Sequence, residues 1–292
     1  MLTYRQDGEK GKSTMKTATK NNNIEEITEK LEQGVQEVFD SEKYKAYLEF
    51  VSRFYEYSVN NCILIWMQRP DASLVAGYKA WQTKFNRQVK KGEKGIKILA
   101  PIPHKFEKVE KDENGKEVKK EINYTTFRAI SVFDISQTEG EDIPHFVSDL
   151  QGAVENYVEI VEKLKAMSPV PVIFEAFEGS AKGYYSHVEQ RIVVQPDLSE
   201  QQSLKTLIHE IAHAILHNQE DGEQKDADRH TAEVQAESVA FTVCAALGVD
   251  TSDYSFGYVA GWSEGREVKE LTASMDIIRR TAKEIIESLK AA

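Results

Sequence analysis

The stretch TLIHEIAHAILHN, residues 206–218, carries two helical stripes at once. Leu204, Leu207, Ile208, Ile211 and Ile215 recur at helical spacing and form an apolar face suited to a core. His209, His213 and His217 follow one another at intervals of four along the adjacent face, with Glu210 beside the first. Residues i and i+4 of a helix share a side, so His209 and His213 can aim their imidazoles at one ion. This is the HExxH pattern, in which the glutamate takes a proton from water activated at the metal.

Such a catalytic site needs a third protein ligand and an open position. The next strongly helical segment, TAEVQAESVAF (231–241), offers Glu233 and Glu237 at i, i+4. Two carboxylates so spaced repel each other in water, and a divalent cation nearby reverses that cost. Glu233 is read as the third ligand and Glu237 as the acceptor for a histidine N–H; the reverse assignment stays open. His217 is a further candidate ligand. Tyr184, Tyr185 and Tyr258 are candidates to stabilise an oxyanion. The expected cofactor is one divalent metal ion, zinc, with manganese as the alternative.

Outward from this helix the chain reads as an α+β protein. The 292 residues suggest two domains, and 40% apolar content is enough for cores. Residues 1–22 are polar and are expected to be a disordered tail, with no apolar stretch of the signal-peptide kind. Helices are expected from Asn22 or Asn23, from Ser41, over VNNCILIWMQ and around 78–85. GIKILAPI and YTTFRAISVFDI read as strands, joined by a charged arm with an Asn114-Gly115 hairpin turn. SQTEGEDIPHF (136–146) is polar and marks the boundary between regions. Beyond it follow a helix from about 149 to 167, a strand, the hairpin GYYSHVEQRIVV and three helices. Cys62 and Cys244 stand far apart, which excludes a disulfide framework and suits a reducing cytoplasm. No run approaches the length of a membrane-spanning helix.

Net charge is −11, so any nucleic-acid surface has to be a local patch. One exists: Lys84, Arg87, Lys90, Lys91, Lys94 and Lys97 crowd together with Glu93 alone opposing them. Tyr55, Tyr57, Tyr78, Trp81 and Phe85 interleave with it. Cations that follow phosphates and rings that stack on bases are what sequence-tolerant single-strand binding needs. Gly92 and Gly95 would let backbone approach a phosphate. The competing reading is a lysine-rich turn entering a strand, with the aromatics in the core.

LIHEIAHAILH followed by AEVQAESVAF resembles the metallopeptidase domains of the ImmA/IrrE type. That family's downstream motif is ExxAxxFA; Glu233, Ala236, Val239 and Ala240 match it, with valine in place of phenylalanine. The resemblance implies Glu233 as the third ligand. The segment from YSVNN through VAGYKAWQTKFNRQVKKGEKGIKILAP, with FRAISVFDISQTEG, is similar to the single-stranded-DNA-binding domain of ArdC-type antirestriction proteins. Such proteins, including the LtrC-like ones, pair this domain with an HExxH domain, travel on plasmids and conjugative elements, and are implicated in protecting incoming DNA from restriction. The resemblance adds Asn60 and Asn61 to the DNA-binding candidates.

The expectation is therefore two domains. Residues 23–140 form a helical and β-hairpin domain for single-stranded DNA, 141–149 a linker, and 150–292 a zincin-like domain with the HExxH helix. The protein is expected in the cytoplasm, away from membranes, with single-stranded DNA and a protein met on it as partners. Its alternative is a non-catalytic DNA-binding antirestriction module whose metal is structural.

Overall fold

The computed structural model describes residues 26–111, 117–143, 156–218 and 222–290. The expected tail, the Asn114-Gly115 turn, most of the linker and the first turns of the helix expected from about 149 lie outside them.

The molecule is α+β. Helix α1 (residues 26–38) turns Ile27, Val35 and Val38 inward. Gly34 lies where α1 meets α3, and a Cβ there would come 2.7 Å from Ile63 Cγ2. Helix α2 (Ser41–Phe54) starts at Asp40, whose carboxylate accepts from the Glu42 amide. Helix α3 (Val59–Gln68) is capped by Ser58 and stops before Pro70, as the sequence requires.

After β1 (Val75–Gly77) and α4 (Tyr78–Phe85) comes β2 (Arg87–Val89), then a long ribbon of β3 (Ile96–Lys111) and β4 (Glu117–Asp134). The strands pair antiparallel from Ile96 opposite Val132 out to Lys111 opposite Glu117, and β1 joins β4 on its other side. Ile96, Ile98 and Val132 anchor the ribbon in the core, whereas Phe106 and Tyr124 further out are about half exposed. The free edge of β3 is covered near its base by amide side chains of α3. Asn61 exchanges two hydrogen bonds of 2.9 Å with the Leu99 backbone, and Gln68 does the same with Lys97. Such side chains stand in for a missing neighbouring strand.

The stretch expected as a polar boundary begins as folded structure. Ile135–Gln137 form a short helical turn capped by Asp134, and β5 (Thr138–Gly140) pairs with β2. Gln137 and Thr138 are buried.

The C-terminal region comprises α5 (Tyr157–Met167), a three-stranded sheet and four helices. In the sheet, β6 (Val172–Phe174) runs parallel to β8 (Arg191–Val194), and β7 (Gly183–Ser186) forms the antiparallel edge. Helix α6 (Glu200–Leu216) crosses behind this sheet, followed by α7 (Arg229–Ala246), α8 (Val259–Ser263) and α9 (Val268–Lys290). One hydrophobic core runs from Val35 to Leu289 and takes in α2, α3, α6, α7 and α9 together. Polar ties reinforce it: the Arg279 guanidinium donates to the Tyr55 carbonyl at 2.9 Å, and Lys283 pairs with Glu56 at 2.6 Å. Among the described residues no helix is long and apolar enough to cross a membrane.

Candidate metal centre

Helix α6 begins at Ser199, whose hydroxyl accepts from the Gln202 amide. Leu204, Leu207, Ile208 and Ile211 are fully buried, and their burial fixes the rotation of the helix. That rotation turns His209 and His213 toward α7. Helix α7 is capped by Asp228, which accepts from both the amide and the hydroxyl of Thr231. Ala236 and Ala240 are fully buried, and their small side chains let helices pack closely around them. Val239, where the family pattern has phenylalanine, is fully buried as well.

The result is a compact donor set. His209 Nε2 and His213 Nε2 lie 3.1 Å apart, and Glu233 Oε2 is 3.6 Å from the first and 3.8 Å from the second. One ligand atom from each of these three residues lies within 4.8 Å of the others. Glu237 Oε2 meets the other nitrogen of His209, Nδ1, at 3.2 Å. Burial lowers the proton affinity of His209, but the carboxylates of Glu233 and Glu237 more than offset it, so its pKa rises to about 10. Hydrogen bonds from His209 and His213 hold Glu233 well below the usual carboxylate range.

His217 does not join the set. Its Nδ1 faces His213 Nδ1 at 3.0 Å, and its Nε2 faces Gln235 Oε1 at 3.0 Å. Gln235 in turn donates to Ser274 Oγ at 3.2 Å. Burial pushes the His217 pKa down to about 4 and keeps the ring neutral, so it acts as a buttress for His213. Gln235 was not legible as a site residue, because Thr231, Ser238 and Thr242 are buried polar residues on the same face of α7 and nothing in the spacing singles it out.

Glu210 is buried, and burial raises its pKa against the opposing pull of His209 and His213. Its carboxylate accepts from the Tyr185 backbone N–H. Strand β7 presses on α6 here: a Cβ on Gly183 would come 2.6 Å from Thr206 Cγ2, which explains the glycine. His209, Glu210 and Glu237 open onto a cleft of about 430 Å³ whose far wall holds Lys205, Asp253 and Tyr254. Lys205 was missed, although its spacing four residues before His209 puts it on the same side of the helix.

The three tyrosine candidates separate. Tyr185 spends its hydroxyl on Gln190 at 3.3 Å, and Tyr184 packs edge-on against Phe177. Tyr258 keeps 38% of its surface exposed and packs near His230 and Phe256; burial first, then the charges of Glu237 and Glu233, raise its pKa.

In the N-terminal region, Lys91, Gly92, Lys94 and Gly95 line a second open cleft of about 690 Å³ together with Arg69, which the sequence reading did not include. Gly92 has φ +92°, a left-handed conformation that favours glycine. Lys84 and Lys97 are exposed, Lys97 donating to Ser131 Oγ, and Asn60 is partly buried. Lys90 donates to the Ser136 carbonyl.

Four expectations are corrected. Trp81 is fully buried with its indole N–H on the Phe133 carbonyl, so it cannot stack on a base. Asn61 is committed to β3. Arg87 spends its guanidinium on Thr138, Gly140 and Glu141. Tyr57 is partly buried and donates to the Val75 carbonyl. In each case a polar group near the chain's own backbone satisfies it first.

Two family models match the chain. Residues 17–133 match the N-terminal domain of anti-restriction factor ArdC, and residues 168–255 match the IrrE N-terminal-like domain of the M78 peptidases. An uncharacterized protein of Bacillus anthracis is 28% identical over 96% of this chain and 52% of its own length, so the chain spans about half of that relative. Two solved structures of antirestriction protein ArdC from the R388 plasmid are similar over 80% of this chain and 83% of theirs. The metal-free one has 20% identity and a TM-score of 0.44; the Mn(II)-bound one has 21% and 0.40. Region by region, the chain is thus similar to an ArdC N-terminal domain followed by an IrrE-like peptidase domain.

Proposed function

We propose that this chain is a cytoplasmic antirestriction protein that binds single-stranded DNA through its N-terminal region and hydrolyses protein at a metal centre in its C-terminal region. The observation that carries the peptidase half is Glu210, a buried carboxyl with a raised pKa next to a two-histidine, one-carboxylate donor set. A purely structural metal site has no use for a proton acceptor there.

The donors fit one divalent ion held by His209, His213 and Glu233. Zinc suits that set, and manganese suits its carboxylate. When bound, the ion would polarise a peptide carbonyl and acidify water. The remaining work belongs to side chains. Glu210 takes the proton of the attacking water and delivers it to the leaving amine. Glu237 on Nδ1 of His209 fixes the tautomer and leaves Nε2 free to ligate. Tyr258 offers a hydroxyl to the developing oxyanion. Strand β7 is a sheet edge on the cleft and can pair with an extended peptide.

Arg69, Lys91 and Lys94 give the N-terminal cleft a cationic rim for phosphates, and Tyr78, which is exposed, supplies a ring for stacking. The protein's target is then a protein met on incoming DNA. Glu210→Gln tests this reading. It should abolish proteolysis while metal content and single-strand binding stay as in the parent. If the variant protects transferred DNA in a restricting host as well as the parent does, hydrolysis has no part in the biology.

A further inference from the structure

We propose that the cleft beside the metal centre contains an acid-recognising subsite built on Lys205, which takes the carboxylate of an aspartate or glutamate near the scissile bond of a peptide. The inference rests on the peptidase reading of that cleft.

Lys205 is 8% exposed, one helical turn before His209 on the same side of α6, and it lines the cleft with His209 and Glu210. Its ammonium lies over the Tyr254 ring, 5.3 Å from the centroid, and donates to Asp253 Oδ1 at 2.5 Å. An ammonium has three N–H donors. Among the described residues Asp253 is the one hydrogen-bond partner of Lys205. Burying an ammonium is costly, and Asp253 and the Tyr254 ring leave two of its N–H donors without an acceptor. A methionine would cover the same apolar wall with no such cost, so stability does not account for a lysine here.

The charge balance of this wall points the same way. Lys182 also lines it, bonded to Gln202, and Asp253 is mostly exposed. Lys182 and Lys205 thus bring two cations to this wall beside Asp253, and each keeps N–H donors for a ligand. The single carboxylate of a peptide side chain needs only the two ammonium groups. Glu210 and Glu237 line the same cleft, the first five residues further along α6 and the second on α7. A nucleic-acid backbone, charged along its length, would run into them. The loop that carries Asp253 and Tyr254 is itself pinned from α2, where Lys45 donates to the Ser252 and Tyr254 carbonyls. The subsite is thus preformed.

The test uses the full chain loaded with Mn(II) and carrying Glu210→Gln, so that bound peptides are not consumed, and a randomised hexapeptide library for affinity selection. Acidic residues should be enriched over their amides at one position by about tenfold, the scale of a hydrogen bond to a charged group. Adding Lys205→Met should erase that enrichment without changing bound Mn(II), and Lys205→Arg should retain it. Asp253→Asn, at an exposed position that folding tolerates, removes the competing carboxylate and should raise the enrichment. The inference is overturned if no position prefers acids, if the preference survives Lys205→Met, if Asp253→Asn leaves it unchanged, or if a short single-stranded oligonucleotide displaces the peptides. Acidic peptides that bind here but are not cut by the parent chain would uphold the subsite and sink the peptidase reading.

Discussion

Tyr44 Oη lies 2.8 Å from Ser238 Oγ, across 194 residues of chain, with both groups buried. Tyr44 is on α2 in the ArdC-type region. Ser238 follows Glu237, the residue that holds Nδ1 of His209. The two matched regions therefore meet one residue from the candidate metal centre, inside the shared core.

Tyr44→Phe removes this bond and should cost about 1 kcal/mol of stability; Tyr44→Ala also opens a cavity and should cost about 3–5 kcal/mol. Because the core is shared, urea unfolding followed by near-UV and far-UV dichroism should give coincident transitions. Two separated transitions would contradict a common core.

His209 gives the metal-free protein a defined pH response. Its folded pKa of about 10 lies above the ordinary 6.5, so the stability it contributes is complete below pH 6.5 and disappears as pH rises through about 10. A metal ion must displace that proton. Metal affinity should therefore rise about tenfold per pH unit between 7 and 9. Calorimetry in buffers of different ionisation enthalpy measures this directly, with about one proton released per ion. Affinity independent of pH would mean that His209 is not a ligand.

Glu237→Gln keeps an acceptor for His209 Nδ1 but removes its charge. Metal affinity should fall by about 10- to 100-fold, whereas His209→Ala should abolish stoichiometric binding. Metal content after dialysis reports both. Equal losses in the two variants would make Glu237 a direct ligand and reopen the choice between it and Glu233.

Lys91→Ala with Lys94→Ala should weaken single-strand binding and reduce the slope of log K against log salt by about 1.4, or 0.7 per phosphate contact. Lys90, already bonded to Ser136, should matter less. Anisotropy titrations over a range of salt concentrations decide, and a slope equal to the parent's removes this cleft from the DNA surface.

Much of the molecule was legible in short windows of sequence. Helical period and the stop before Pro70 are local properties, and the helices expected from Ser41, over VNNCILIWMQ and around 78–85 are present. Spacing put His209 and His213 on one face of α6 and offered Glu233 and Glu237 on the next helix; the resemblance implied Glu233, and the fold brings its carboxylate to the two histidines.

The aromatic and basic patch was less legible. Composition reports which side chains are present and not which neighbour each one reaches. Trp81 and Asn61 look the same in sequence whether they face DNA or the β3–β4 ribbon, and tertiary contacts drew both into the fold.

The sequence by itself determined the elements, the α+β class and the histidine-bearing face of α6, since these depend on interactions within a few residues. Only the tertiary structure decided that α2 packs on α7, that Arg69 joins Lys91 and Lys94, and that Lys205 turns into the metal cleft. Those are contacts between segments far apart in the chain. An apolar face shows that a partner exists, and the packing of the whole core selects which one.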